Sequence, residues 1–298
     1  MRTDLLTLIV TYNGMKWIEK CIESVMTSSA ISDIYVVDNG STDGTLDYLK
    51  MMKEKGELDY YQSPENLGFG AANNLGFKYA EEHDYTYVYL LNQDAWVERG
   101  TLAHLKTVIG AYPEVGVLSP VQLQADGKTM DKQFKKRCGK YLKAAKKDPE
   151  YNAMRPVQVP FVMAAHWMLR MDTIKNFHGF GRVFYMNGED DDFCNRVRYK
   201  DMQVCVVPCI HAIHDRGDRK ISKDKRIYLK YIGCVAFVCD PENPFPDSVV
   251  MMTCKLFLIC FKCFSLKPLK YIWKLWMRAR ELGAYRRETR EFRMFKAQ

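Results

Sequence analysis

Four consecutive carboxylates, Glu189-Asp190-Asp191-Asp192, concentrate more acid–base chemistry than any other stretch of the chain. Side by side they repel one another, so a fold keeps them in a cleft only where cations, donors or a reaction offset that cost. They could hold a general base, or they could cap a helix, since acidic side chains suit a helix N-terminus. A second group of polar residues follows apolar runs: Thr11-Tyr12-Asn13, Asp38-Asn39, Asn66 with Gly68 and Asn73, and Asn92-Gln93-Asp94. Carboxylates and amides so placed accept hydrogen bonds from a nucleobase or ribose, and glycines allow close backbone approach. His211 and His214 are candidate metal ligands. With Cys205 and Cys209 they form a C-x3-C-x-H-x2-H string, which lacks the roughly 12-residue spacer that lets a zinc finger wrap one ion. Cys260 and Cys263 make a lone CxxC, a weak redox or metal signal.

These residues need a frame, and the apolar pattern supplies one. Residues 5–10, 34–37, 58–61 and 87–91 read as strands, the first as one buried on both faces of a parallel sheet. Helical spacing or helix-capping chemistry follows the first three, at 17–26, after Thr45 and from about Asn66 to Glu82. In open α/β sheets ligands bind beyond the carboxyl ends of the strands, so the four polar loops converge on one crevice. The Gly68-Phe69-Gly70 turn is no dinucleotide fingerprint, because that motif belongs after the first strand. No phosphate-binding P-loop is present. Further on, residues 99–111 are predicted helical, 116–121 a strand, 126–155 a mobile Lys-rich loop, 157–170 strand-like and 172–177 a short helix. A helix over 193–200 and a strand over 204–207 follow.

The chain has 298 residues and a net charge of +8, and its composition is that of an ordinary globular protein. Its amino end shows no basic n-region or cleavage site, which points to the cytoplasm, and its ten cysteines are expected as reduced thiols. The βα rhythm stops near Lys220. From there Lys and Arg cluster among aromatic residues, at 216–226 and 267–293. Trp273 and Trp276 among lysines fit a segment lying in a membrane interface, at the inner face of the cytoplasmic membrane. The competing expectation is a helix packed on the catalytic domain.

In order and spacing, five motifs resemble the family 2 glycosyltransferases of the GT-A fold, especially the bacterial rhamnosyltransferase-like and galactofuranosyltransferase-like branch. They are Val10-Thr11-Tyr12-Asn13, the loop from Val36 to Thr45, Asn66-Leu67-Gly68-Phe69-Gly70-Ala71-Ala72-Asn73, Leu91-Asn92-Gln93-Asp94, and Gly188-Glu189-Asp190-Asp191-Asp192-Phe193-Cys194. The resemblance covers about residues 5–217. It implies an α/β domain over 1–219 with a Rossmann-like, mostly parallel sheet. Residues 1–110 would form the nucleotide-sugar half, 111–219 the acceptor half, and 220–298 a basic helical extension. It further implies that Thr11, Tyr12, Asn13, Asp38, Asn39, Asn66, Gly68, Asn73, Asn92 and Gln93 line the donor site. Asp94 matches the last position of the family's metal motif, with Asn92 in place of its first carboxylate, and His214, or failing it His211, would join Mg2+ or Mn2+. Asp190 matches the catalytic base, with Asp192 as the alternative, Glu189 and Asp192 in support and Asp191 as surface charge. The activity so implied is inverting transfer from a dTDP-, UDP- or GDP-sugar to a cell-surface or lipid-linked glycan. Two other classes compete with this one. A sugar-phosphate nucleotidyltransferase expects cations in the first loop, which residues 11–14 lack. A nucleic-acid-binding or scaffold protein leaves the acidic cluster unexplained, since carboxylates repel phosphate.

Overall fold

In the computed structural model, which describes residues 3–217 and 221–291, the first apolar run is strand β1 (Leu5–Thr11). Then come α1 (Ile18–Met26), β2 (Asp33–Asp38), α2 (Thr45–Glu54), β3 (Asp59–Gln62), α3 (Phe69–Glu82) and β4 (Tyr87–Asn92). β2 and β4 flank β1 in parallel, and β3 adds in parallel to β2. Side chains alternate across the strands, so Leu6 and Leu8 enter one core while Leu5 and Ile9 enter the other. Helices cover both faces, which is why these runs are continuously apolar. In α1 the spacing shifts to the helical period, and Ile18, Cys21, Ile22 and Val25 are the buried residues.

The second half comprises β5 (Ala95–Val97), α4 (Thr101–Ala111), β6 (Val115–Leu123), α5 (Lys132–Ala145), β7 (Val157–Gln158), β8 (His166–Arg170), α6 (Met171–Phe177), α7 (Glu189–Tyr199) and β9 (Gln203–His214). The sheet order is β3-β2-β1-β4-β8-β6-β9-β5, with β7 paired to β9. β8 is antiparallel to β4 and β6, β9 is parallel to β6, and β5 returns antiparallel to β9. The sheet is parallel throughout β3-β2-β1-β4, and β6 and β9 form a second parallel pair within the mixed half. A single sheet joins the two expected halves, and β5 carries chain from the first to the far edge of the second. The boundary expected at 219/220, with Arg219, Lys220 and Arg293 of the basic clusters, lies outside the described residues.

Two local expectations are corrected. The Lys-rich stretch holds helix α5, because Phe134, Cys138 and Leu142 recur every four residues and bury together, and the Asp131 carboxylate caps it by accepting from the Phe134 N–H at 2.8 Å. The strand predicted at 204–207 continues past Pro208 to His214. Its pairing jumps from Pro120↔Val207 to Val121↔His211, so residues 208–210 bulge out and the ladder resumes.

Beyond the sheet, α8 (Lys223–Cys239), α9 (Asp247–Cys263), α10 (Lys267–Met277) and α11 (Ala279–Glu291) share a third core with Val183 and Phe184, which precede α7. The basic extension is thus packed on the catalytic domain. Among the described residues no helix is long and apolar enough to cross a membrane.

Candidate active site

β1, β2 and β4 end level with one another, since Thr11 pairs with Asp38 and Val10 with Asn92. Their terminal residues therefore line one edge of the sheet. Thr11 is buried, and its hydroxyl donates to Gln93 Oε1 at 2.6 Å, which also receives the Tyr12 N–H at 2.8 Å. Gln93 in this way ties the first loop to the fourth. Asn13 adopts a left-handed conformation (φ 48°), and its Oδ1 accepts from the Thr42 N–H at 2.8 Å, joining the first loop to the second. Tyr12 is exposed.

Asp38 is buried. One carboxylate oxygen accepts from the Ser41 N–H at 3.1 Å, and the other has no partner among the described residues. A buried, half-satisfied carboxylate is costly and is the kind of group a ligand completes. Asn39 bonds the third loop through Asn66 Oδ1 (3.1 Å), the Gly68 carbonyl (3.3 Å) and the Leu67 N–H (2.8 Å). Gly68 sits at φ 83° against the Tyr185 carbonyl, leaving no room for a Cβ. Tyr185 also donates its hydroxyl to the Asn66 carbonyl at 2.9 Å, closing the third loop against the segment before α7. Asn73, by contrast, donates within α3 to the Phe69 carbonyl at 2.9 Å and is buried there, so it braces the helix.

The acidic cluster is the first turn of α7, begun by Gly188 in a left-handed conformation (φ 90°). It caps a helix and faces the donor loops at once, because Glu189 packs beside Gly70 at the start of α3. Its four carboxylates have separate surroundings. Asp192 is buried and accepts from Arg196 Nε at 2.8 Å and from the Tyr285 hydroxyl of α11 at 2.6 Å. Arg196 donates onward to the carbonyls of Phe177 and Gly179, so one Asp192 oxygen, Oδ2, is tied into a buried structural network. Asp191 pairs with Arg137 of α5 at 3.4 Å, and that guanidinium lies over the Phe161 ring. It is an ion-pair partner where surface charge alone was expected. Glu189 is buried with one oxygen lacking a partner among the described residues. Burial, then Asp191 and Asp192, raises its carboxyl to about 7. Asp190 is half-buried, and burial followed by Asp191 and Glu189 pushes it up to about 8 against the pull of Arg137.

At the fourth loop, pairing of Ala95 with His214 sets Asp94 beside that histidine. Asp94 Oδ1 lies 3.4 Å from His214 Nε2, both side chains nearly buried. Arg216 Nε donates to His214 Nδ1 at 3.2 Å. Behind His214 stands His166, which sequence reasoning missed. It is wedged between the Tyr89 hydroxyl (2.8 Å) and the Ile213 carbonyl (3.0 Å), and burial, then His214, lowers it to about 3, so it is neutral. His211 is corrected as an alternative metal ligand: three residues from His214 on one strand, it projects from the opposite face.

One carboxylate and one imidazole at this spacing fit an oxygen-preferring divalent cation that takes its other ligands from a diphosphate. Among the described residues no cluster of three or more His, Cys, Asp or Glu could hold an ion unaided. Cavity size does not mark the site. A cavity of about 600 Å3, lined by Asp4, Ile31, Tyr87 and Lys106, lies at the opposite, amino end of the strands.

Comparison with known proteins identifies the fold and the family. The low-salt glycan biosynthesis hexosyltransferase Agl10 of Haloferax volcanii is 24% identical over 243 residues, 78% of this chain and 74% of that protein. Glycosyltransferase GlyA of Streptococcus pneumoniae serotype 4 is 32% identical over 111 residues, 37% of this chain and 16% of its own length. S. aureus TarS 1-349 in complex with UDP superposes with a TM-score of 0.57 at 17% identity, covering 84% of this chain and 69% of that one. Mannosyltransferase PcManGT from Pyrobaculum calidifontis, in complex with GDP-Man and Mn2+, gives a TM-score of 0.59 at 16% identity, covering 97% and 85%. These likenesses show the GT-A fold. The family model for glycosyl transferase family 2 matches residues 7–177, more than half of the chain and all four strand-end loops, so the chain belongs to glycosyl transferase family 2.

Proposed function

We propose that this glycosyltransferase is an inverting, metal-assisted hexosyltransferase. It moves a sugar from a nucleoside-diphosphate donor to a hydroxyl of a cell-surface or lipid-linked glycan, working in the cytoplasm. The observation that carries the reading is Asp190: a half-buried carboxyl of raised proton affinity in a cluster packed on the donor loops. Relatives and neighbours named for hexosyl transfer, or holding UDP, GDP-Man and Mn2+, support the donor class.

In this reading Thr11, Asp38 and the loops fixed by Asn13, Asn39, Asn66 and Gln93 hold nucleoside and ribose, and the partnerless oxygen of Asp38 accepts a donor hydroxyl or N–H. Asp94 and His214 would hold the cation, which when bound supplies neutralisation of the diphosphate charge. Asp190 accepts the acceptor hydroxyl's proton as that oxygen attacks the anomeric carbon. The new C–O bond forms on the face opposite the departing diphosphate, which takes the electron pair of the bond it leaves. One base and no second nucleophile give inversion. Asp190 is matched to the task because a base works best with a pKa near the operating pH.

Incubation with a panel of nucleotide-sugars, with and without Mn2+, tests this directly. One donor class should raise the melting temperature, more so with Mn2+, and NMR of the product should show the inverted anomer. Retention of configuration, or stabilisation by no nucleotide-sugar, would contradict it.

A further inference from the structure

The C-terminal helices leave one face uncovered, and its chemistry specifies what covers it. On α9 the residues turned into the third core are Met252, Leu256 and Ile259. The opposite side carries Phe257 and Phe261, 48% and 73% exposed, followed by Phe264 at 95%. α10 adds Trp273 and Trp276, 63% and 52% exposed, and the Trp276 indole N–H donates to Thr253 Oγ1 of α9 at 3.0 Å, so both helices form one surface. Contiguous exposed aromatic surface of this kind is uncommon on monomers and marks a contact face.

Charge decides among partners. Residues 248–277 hold five lysines and no Asp or Glu. At about 100° per residue, Lys255 and Lys262 fall along one flank of the α9 stripe, and Lys270 and Lys274 along one flank of the α10 stripe, where Lys267 is paired with Asp224 of α8. A symmetric contact with a second copy would bring two patches of the same positive sign together, with no carboxylate in residues 248–277 to offset them. An anionic bilayer instead takes the rings into its interface and pairs headgroups with the lysine rim. No described helix is long and apolar enough to cross, so the fitting mode is lying in the interface plane. We propose that the α9–α10 face docks the protein on an anionic membrane surface through Phe257, Phe261, Phe264, Trp273 and Trp276 with their lysine border. The docked layer is also the one that braces the catalytic turn, through Tyr285 and Asp192, so a membrane acceptor is met by a fixed active site. This inference stands apart from the identity of the donor.

Co-sedimentation of the full chain with vesicles tests it. The protein should sediment with vesicles of equal parts phosphatidylglycerol and phosphatidylcholine, remain soluble with phosphatidylcholine alone, and be released by salt. The exposed pair Phe261→Ser/Trp273→Ser and the pair Lys262→Glu/Lys270→Glu should each weaken partitioning about tenfold or more. Both should keep wild-type melting temperature and wild-type turnover on a water-soluble acceptor, which separates failure here from failure of the catalytic reading. Equal affinity for both vesicle types, no affinity for either, or variants that partition like wild type would overturn it. So would a solution dimer that Phe261→Ser/Trp273→Ser dissociates in a protein that ignores vesicles.

Discussion

Asp38, Asp190 and Asp192 are chemically alike and differ in their surroundings, and those surroundings predict three different outcomes of substitution. Asp192 is consumed by Arg196 and Tyr285. Breaking such a buried pair costs about 3–5 kcal/mol, so Asp192→Ala should lower the melting temperature steeply before any kinetic effect can be assigned. Asp38 keeps an oxygen without a protein partner, and Asp38→Ala should weaken donor binding about 10–100-fold in titration calorimetry, the range of a charge-assisted hydrogen bond. For Asp190 the sign is worked from the raised carboxyl. The base acts only when deprotonated, so kcat/KM should rise with pH, reach half its limit near 8 and level off above it. Arg137 favours the charged cluster, hence Arg137→Ala should move that limb to higher pH. The folded state holds the Asp190 proton longer than the unfolded chain, so this group makes the fold less stable as pH climbs from about 4 toward 8. A neutral Asp190→Asn should therefore melt higher than wild type at pH 8 and equally at pH 4. The strand-end residues were legible because they interrupt apolar runs. Gln93 bonding Thr11 across 82 positions, or Tyr285 reaching Asp192 across 93, was not, because spacing encodes only local partners.

At the scale of elements, period and caps revealed most of the parallel half, where both faces of each strand are buried and the signal is strong. They failed where the pattern is diluted. The three buried residues of α5 stand among Lys132, Lys135, Lys136, Lys140 and Lys143, and solvent-facing lysines hid the stripe. Pro208 signalled the end of a strand, yet the ladder absorbs it as a bulge. α7 starts at Glu189, four residues before the apolar onset at Phe193, because Gly188 and the helix dipole favour carboxylates in its first turn. The same turn depends on α11. Tyr285→Phe keeps the ring in the third core and removes one hydrogen bond to Asp192, so it should cost about 1–3 kcal/mol in denaturant unfolding and lower kcat with little change in donor KM. Equal loss of kcat and donor affinity would show that the brace reaches the whole site.

Across the whole molecule, one sheet carries the donor loops and the cation pair, and three helical layers close around it. The basic carboxyl-terminal region differs from the rest in charge and aromatic content, yet its apolar residues Tyr231, Val235, Leu256 and Leu275 pack with Val183 and Phe184, as the competing expectation of a packed helix required. Deleting residues after 245 would strip α9, α10 and α11 from that core, where each fully buried large apolar side chain contributes about 1.5–3 kcal/mol. Truncation should therefore yield insoluble or unfolded protein, and membrane contact is better read from surface substitutions. In the proposed function Asp190 is the base of a transfer whose donor site lies on the four strand-end loops. The most direct measurement is transfer by Asp190→Asn beside its donor affinity in the presence of Mn2+. Donor affinity should stay within about threefold of wild type while kcat falls about 10²–10⁴-fold, the usual contribution of a positioned base. Full transfer by this variant, or parallel loss of donor binding, would contradict the account.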